Sequence, residues 1–265
     1  MPLHYSFPPS EEISKSVYTA LLNDVHDVHG DHLTTGFVGN KYVLPVLTAG
    51  GNATLALEVA LQRTYPSWGY QIVNGATTLW ENWSGAPDDT NGNAPPSHNH
   101  HFMGGYGQWM HESLLGLRLG PHVLPSSLMS DVNFYVDTSS TAFGEFVVRP
   151  EVVVHGALSG ASARWILPRG DVRVEWRRDG LCKSALGPVS FSMNVTVPVN
   201  TKAMITVPLS GCGHNIVSEQ STQIWPESGG HVPGVITPPT LDQLPDGIAA
   251  VTLEVGSGEY FFTAL

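Results

Sequence analysis

The chain has 265 residues, 42% of them hydrophobic, a formal charge of -11 and no run of Lys and Arg. That length can bury a sizeable core, seven Trp argue against disorder, and no apolar run is long enough to span a membrane. Phosphate binding needs clustered positive charge, so nucleic acid is a poor partner, whereas a neutral ligand such as a sugar is compatible.

Helical signals dominate the first 120 residues. Ser10 precedes Glu11 and Glu12, an N-cap followed by acids that suit the helix dipole. Ile13, Val17, Leu21, Val25 and Val28 recur every three or four residues, which predicts a helix that stops at His29-Gly30. Further helices are expected from Lys41 to Thr48, despite Pro45, and from Ala53 to about Arg63. A fourth is expected from near Ser97, its buried stripe including Phe102, Tyr106, Trp109 and Leu117. Between them, Thr34 to Gly39 and Tyr65 to Tyr70 read as loops that mix Gly, hydroxyls and large aromatics, as binding-site loops often do. Asp88 to Pro96 reads as an exposed excursion.

From Glu145 the period changes to two, with many β-branched residues. Strands are expected at Glu145–Arg149, Val152–Ala157, Ala161–Ile166, Asp171–Arg177, Val189–Val197, Lys202–Val207, Ala249–Val255 and Glu259–Thr263. Turns are expected at Pro168-Arg169-Gly170, Asp179-Gly180, Asn200-Thr201 and Gly256-Ser257-Gly258. Such short, regular strands point to an antiparallel sandwich. The expected organisation is an α+β multi-domain chain: helices over residues 1–120, a linker over 121–144 and a β-sandwich over 145–265. Cys182 and Cys212 lie in no zinc-type spacing, and a bridge between them or two free thiols are both open. No signal peptide is visible, the compartment is left open, and sequons stand at Asn52, Asn82 and Asn194.

The stretch richest in chemistry is Gly75-Ala76-Thr77-Thr78-Leu79-Trp80-Glu81-Asn82-Trp83. Trp80 and Trp83 flank Glu81, offer sugar-stacking faces and exclude water, as a tuned acid or base requires. A bland reading competes: Thr78 and Glu81 have capping-box spacing, in which Glu merely satisfies a helix N-terminus. Ser97-His98-Asn99-His100-His101 raises the question of a metal, but neighbouring histidines on a helix cannot all face one ion and no HExxH occurs. His26, His29 and His32 surround a helix end, where the dipole accounts for them. No metal and no cofactor are expected.

Taken in order, these segments resemble a family. Thr34-Thr35-Gly36-Phe37-Val38-Gly39, Tyr42-Val43-Leu44-Pro45-Val46-Leu47, Tyr65-Pro66-Ser67-Trp68-Gly69-Tyr70, the Trp-Glu-x-Trp stretch and Ser97-His98-Asn99-His100 are similar to the end of the catalytic domain of bacterial-type α-L-rhamnosidases. Arg173-Val174-Glu175-Trp176 and Val195 to Ala203 resemble that family's terminal sandwich. The resemblance implies part of an (α/α)6-barrel followed by a C-terminal β-sandwich. It implies inverting hydrolysis of α-L-rhamnosyl residues, with Glu81 as general base, His100 contacting the sugar, and Trp68, Trp80 and Trp83 as pocket walls. It also implies a rhamnose-containing glycoside as partner. The family's general acid lies in an acidic, Arg-containing motif upstream of the matching segment, and no such motif occurs here. His98 and His101 stand where the family usually has aromatics. The chain by itself is therefore expected to be inactive and to lack the N-terminal portion of the catalytic domain as its natural complement. The alternative is a non-catalytic carbohydrate-binding or structural β-sandwich protein, for which the sandwich offers only Trp165, Trp176 and Trp225 as candidate aromatics.

Overall fold

The computed structural model describes residues 2–5, 7–86, 96–119, 144–153, 155–182, 187–212, 215–226 and 232–265. Most of the expected excursion over 88–96 and of the linker over 121–144 lies outside these residues. Contacts divide the chain into two compact units, with the described residues up to Trp109 in the first and those from Met110 in the second.

In the first unit, helix α1 spans Glu11–Leu22 and starts as its residues dictate, with the Ser10 hydroxyl accepting from the Ile13 N–H. It loosens into a π turn over Asn23–Val28, and Gly30, at φ 56°, ends it. Its buried face carries Ser14, Tyr18 and Val25, whereas Ile13 and Val28 are exposed. Tyr18 sets that rotation. Its hydroxyl donates to the Leu47 carbonyl at 3.1 Å and accepts from the Asn52 amide at 2.8 Å. The ring reaches over Gly50, where an added Cβ would lie 1.9 Å from it, so only glycine fits. Helix α2 spans Phe37–Ala49, starting before the expected Lys41 and keeping Pro45 inside, and packs on α3, Ala53–Leu61.

Other expectations also fail in this unit, besides the loop expected over Thr34 to Gly39, whose last three residues lie in α2. Tyr65 to Tyr70 is not all loop, because a short helix α4 covers Trp68–Val73, capped by the Ser67 hydroxyl. The helix expected from Ser97 begins only at His101, as a 3-10 turn over His101–Gly104 that leads into α5, Gly105–Trp109. Ser97 to His100 is instead drawn into backbone pairing with the segment around Glu81. Of the expected stripe, Trp109 is buried and donates from Nε1 to the Thr48 hydroxyl at 2.8 Å, but Phe102 is exposed. Leu117 lies in a strand of the second unit.

The second unit opens with a π turn over Met110–Leu114 and holds two sheets. One orders β1 (Leu117–Leu119), β2 (Glu145–Val148), β6 (Lys202–Pro208), β10 (Ala249–Val255) and β9 (Thr240–Gln243) side by side. The other orders β3 (Gly160–Leu167), β4 (Gly170–Leu181), β5 (Pro188–Val197), β11 (Gly258–Ala264), β7 (Val217–Glu219) and β8 (Thr222–Trp225). Pairing is antiparallel except between β2 and β6, which run parallel, so the first sheet is mixed. Alternating side chains of both sheets meet in one core, with Phe146, Ile205 and Leu253 from the first and Trp176, Phe191 and Phe262 from the second.

The strand expected at Val152–Ala157 is absent among the described residues. Pro150 has no N–H to give a ladder, and the Glu151 N–H goes to the Ser113 carbonyl at 2.9 Å, so Val152 and Val153 are buried without pairing as a strand. Asp179-Gly180 is no turn either: β4 runs through it, with Gly180 at φ 56°. Cys182 and Cys212 are joined, their Cα atoms 5.6 Å apart, which settles the open choice between bridge and free thiols.

Candidate active site

Residues 75–86 form no helix, so Thr78 and Glu81 do not make a capping box. The segment instead lies against residues 97–100. The His100 N–H donates to the Leu79 carbonyl at 2.7 Å and the Glu81 N–H to the Ser97 carbonyl at 2.8 Å. The Thr78 hydroxyl donates to the His98 carbonyl. The Trp80 indole stacks on the His98 ring at 4.8 Å, and His98 Nε2 lies 3.2 Å from the Gly85 carbonyl. Gly85 is required here, because it sits at φ 66° and an added Cβ would be 2.4 Å from the Trp80 ring.

Glu81 is half-buried, and its Oε2 accepts from the Ser97 backbone N–H at 2.8 Å. A carboxylate held by one oxygen is oriented while the other stays available to a proton donor such as water. Glu81 and His100 are thus carried on two segments that fix one another through the backbone. No hydrogen bond joins their side chains among the described residues, and the His100 ring packs edge-on against Phe37 and tilted against Phe102, at 5.5 Å from each.

Trp68, Trp80 and Trp83 are all buried, at 7%, 8% and 6% exposure, and so brace the loops more than they present open faces. Trp68 donates from Nε1 to the Met103 carbonyl and Trp83 to the Thr35 carbonyl, each at 2.8 Å. Trp68 meets Trp83 at 5.4 Å and Tyr106 at 5.1 Å, both edge-on, a favourable geometry for aromatic rings. Two of the histidines around the first helix end have hydrogen bonds of their own. Asp31 holds His26 above its ordinary pKa through a 2.6 Å hydrogen bond, and His32 lies 2.7 Å from the Thr64 hydroxyl.

Two positioning residues escaped sequence reasoning. Gln71 is buried, and its Nε2 donates to the Asn82 carbonyl at 3.0 Å, tying α4 to the residue after Glu81. Ser67, also buried, caps α4 by accepting from the Tyr70 N–H at 2.9 Å and donates to the Thr64 carbonyl at 2.7 Å. Ser67 stood in a segment that carries the family resemblance, but the six-residue stretch after it is too short to show a helical period, and nothing local marked Gln71. Ser67→Ala is expected to cost about 1 kcal/mol of stability, read as a lowered denaturant midpoint of the helical signal. An unchanged midpoint would deny the cap its role.

Comparisons with known proteins agree on one family. Residues 1–114 match the bacterial alpha-L-rhamnosidase 6 hairpin glycosidase domain, and residues 136–222 match the bacterial alpha-L-rhamnosidase C-terminal domain. An alpha-L-rhamnosidase of Streptomyces avermitilis is 30% identical over 235 residues, covering 88% of this chain and 18% of that protein. One from Alteromonas sp. strain LOR is 31% identical over 179 residues, covering 67% of this chain and 16% of its own length. Among solved structures, alpha-L-rhamnosidase from Dictyoglumus thermophilum superposes with a TM-score of 0.71 at 28% identity, over 99% of this chain and 24% of that one. The Streptomyces avermitilis enzyme, solved in complex with L-rhamnose, also gives 0.71, at 26% identity, over 100% of this chain and 21% of that one. The chain thus spans less than a fifth of the length of these curated relatives. It belongs to the bacterial α-L-rhamnosidase family, of which it carries part of the six-hairpin glycosidase domain and the C-terminal domain.

Proposed function

We propose that the helical unit supplies the general-base side of an inverting α-L-rhamnosidase site. Glu81 takes the proton of the water that attacks the anomeric carbon, and His100 contacts the rhamnose hydroxyls. Trp68, Trp80 and Trp83 stiffen the pocket around them. The observation that carries this reading is the hydrogen bond from the Ser97 N–H to Glu81 Oε2, made within the same pairing that anchors His100 to Leu79. It orients one carboxylate oxygen and leaves the other for the water. The L-rhamnose held by the Streptomyces avermitilis relative supports rhamnose as the sugar.

Inversion requires a second carboxylate about 6.5–9.5 Å away, leaving room for the water between them. In this reading that acid comes from outside residues 1–265, and these residues alone do not turn over substrate. The deciding experiment is a chimera in which residues 1–265 replace the matching part of the Streptomyces avermitilis relative, assayed on an aryl α-L-rhamnoside with and without Glu81→Gln. A chimera that hydrolyses the glycoside equally well with Gln at position 81 would refute the assignment.

A further inference from the structure

We infer that the outer face of the six-stranded sheet, across β4, β5 and β11, is a second carbohydrate-binding site, independent of the role proposed for Glu81. A groove of about 630 Å³ lies on this face, within the range of about 300–1,000 Å³ usual for ligand sites. Strand register lays its side chains out in two rows. Arg173 stands opposite Thr196, which stands opposite Glu259, and Glu175 stands opposite Asn194, which stands opposite Phe261. Alternation along the strands turns these residues outward while Val174, Val195 and Tyr260 fill the core.

The chemistry of the face selects its ligand. Cations and carboxylates are balanced, which rules against a polyanion such as nucleic acid. Phe261, 39% exposed, offers a single apolar surface, too little for a protein or lipid partner. Around it are planar polar groups held in place: the Asn194 amide, the Arg173 guanidinium, 3.6 Å from Asp171, and the Glu175 carboxylate, whose Oε1 accepts from Arg177 Nε at 3.0 Å. A pyranose ring matches that set, since it presents C–H groups on one face and a belt of vicinal hydroxyls at its edge.

The groove also holds a residue in an uncommon backbone state. Gln220, which lines its edge, has φ 50° at the first position of the two-residue connection between β7 and β8. Glycine is the usual choice for a hairpin turn with that geometry. Its N–H donates to the Phe261 carbonyl at 2.8 Å, which brings this residue beside the exposed ring. Non-glycine residues held in this region cluster at ligand sites.

The test is calorimetric titration of the full chain with a soluble rhamnose-containing oligosaccharide, and separately with an α-glucan of similar length. At least one saccharide should bind, and Phe261→Ala and Arg173→Ala should each weaken binding by about tenfold. Phe261→Tyr should leave it unchanged. If Phe261→Ala does not fold, Arg173→Ala and Asn194→Ala carry the test from the other strands. Binding of neither saccharide overturns the inference. So does binding that Glu81→Gln abolishes while the groove variants retain it, an outcome that would place the sugar in the helical unit alone and leave the reading of Glu81 standing.

Discussion

Purified residues 1–265 are expected to give no measurable hydrolysis of an aryl α-L-rhamnoside, while the chimera hydrolyses it and loses about 10²–10⁴-fold in kcat on Glu81→Gln. Departure of the leaving group needs a proton from a positioned acid. Glu81 can serve the water on the opposite side of the ring, but it cannot reach both places, because the two carboxyl groups of an inverting site stand about 6.5–9.5 Å apart. Orientation is the second deficit. The described contacts around Glu81 and His100 come from one pair of segments and a few aromatics, and holding a sugar in attack geometry contributes as much as the proton transfers do. Gln in place of Glu81 keeps the shape and the Ser97 contact but cannot accept a proton from water, so the variant separates chemistry from folding. Enzyme-like turnover by residues 1–265 alone that vanishes in Glu81→Gln would overturn the expectation. It would mean that a second acid, such as Asp88, Asp89 or a group from a partner chain, completes the pair.

The stability of the sandwich unit is expected to fall as the pH rises from 4.5 to 7, opposite to the usual behaviour of a paired carboxylate. Glu151 is 1% exposed, beside Arg118 at 3.6 Å, with Arg149 also exerting an attraction. Its Oε2 has no hydrogen-bond partner, and burial outweighs both arginines, so its pKa is pushed up from 4.5 to about 7. Asp246, close enough to repel it, is likewise raised by burial. The sign follows from proton counting. Between the unfolded and folded pKa values the native state holds more protons than the unfolded one, so raising the pH favours unfolding. The stabilisation is fully present below 4.5 and is lost by the time the pH passes about 7, a change of about 3 kcal/mol. The check is the urea midpoint followed across this window in the wild type and in Glu151→Gln, whose uncharged amide should remove most of the slope. A wild-type midpoint that climbs with pH, or an unchanged slope in the variant, would contradict the assignment.

Features that depend on a few neighbouring residues were legible in the sequence. Ser10 caps α1 and Gly30 ends its continuation because a side-chain oxygen three residues from an N–H, or a missing Cβ, acts locally whatever the rest of the fold does. The alternation along β4, β5, β6, β10 and β11 marked strands because each has one face in a common core. The motif around Glu81 pointed to a carboxylate worth following, and the family resemblance pointed to His100. Position in space was another matter. That residues 97–100 pair with the Glu81 segment and do not start a helix depends on hydrogen bonds to Leu79 and Glu81, which propensity does not see. The parallel pairing of β2 with β6 and the bridging of Cys182 to Cys212 join residues far apart in the chain. That Trp80 is buried depends on His98 and Gly85, which close over its ring. Local chemistry sets caps, turns and periods, because its partners are covalently near. Register, pairing and burial are set by which distant surfaces exclude water together, and only the folded chain brings those surfaces into contact.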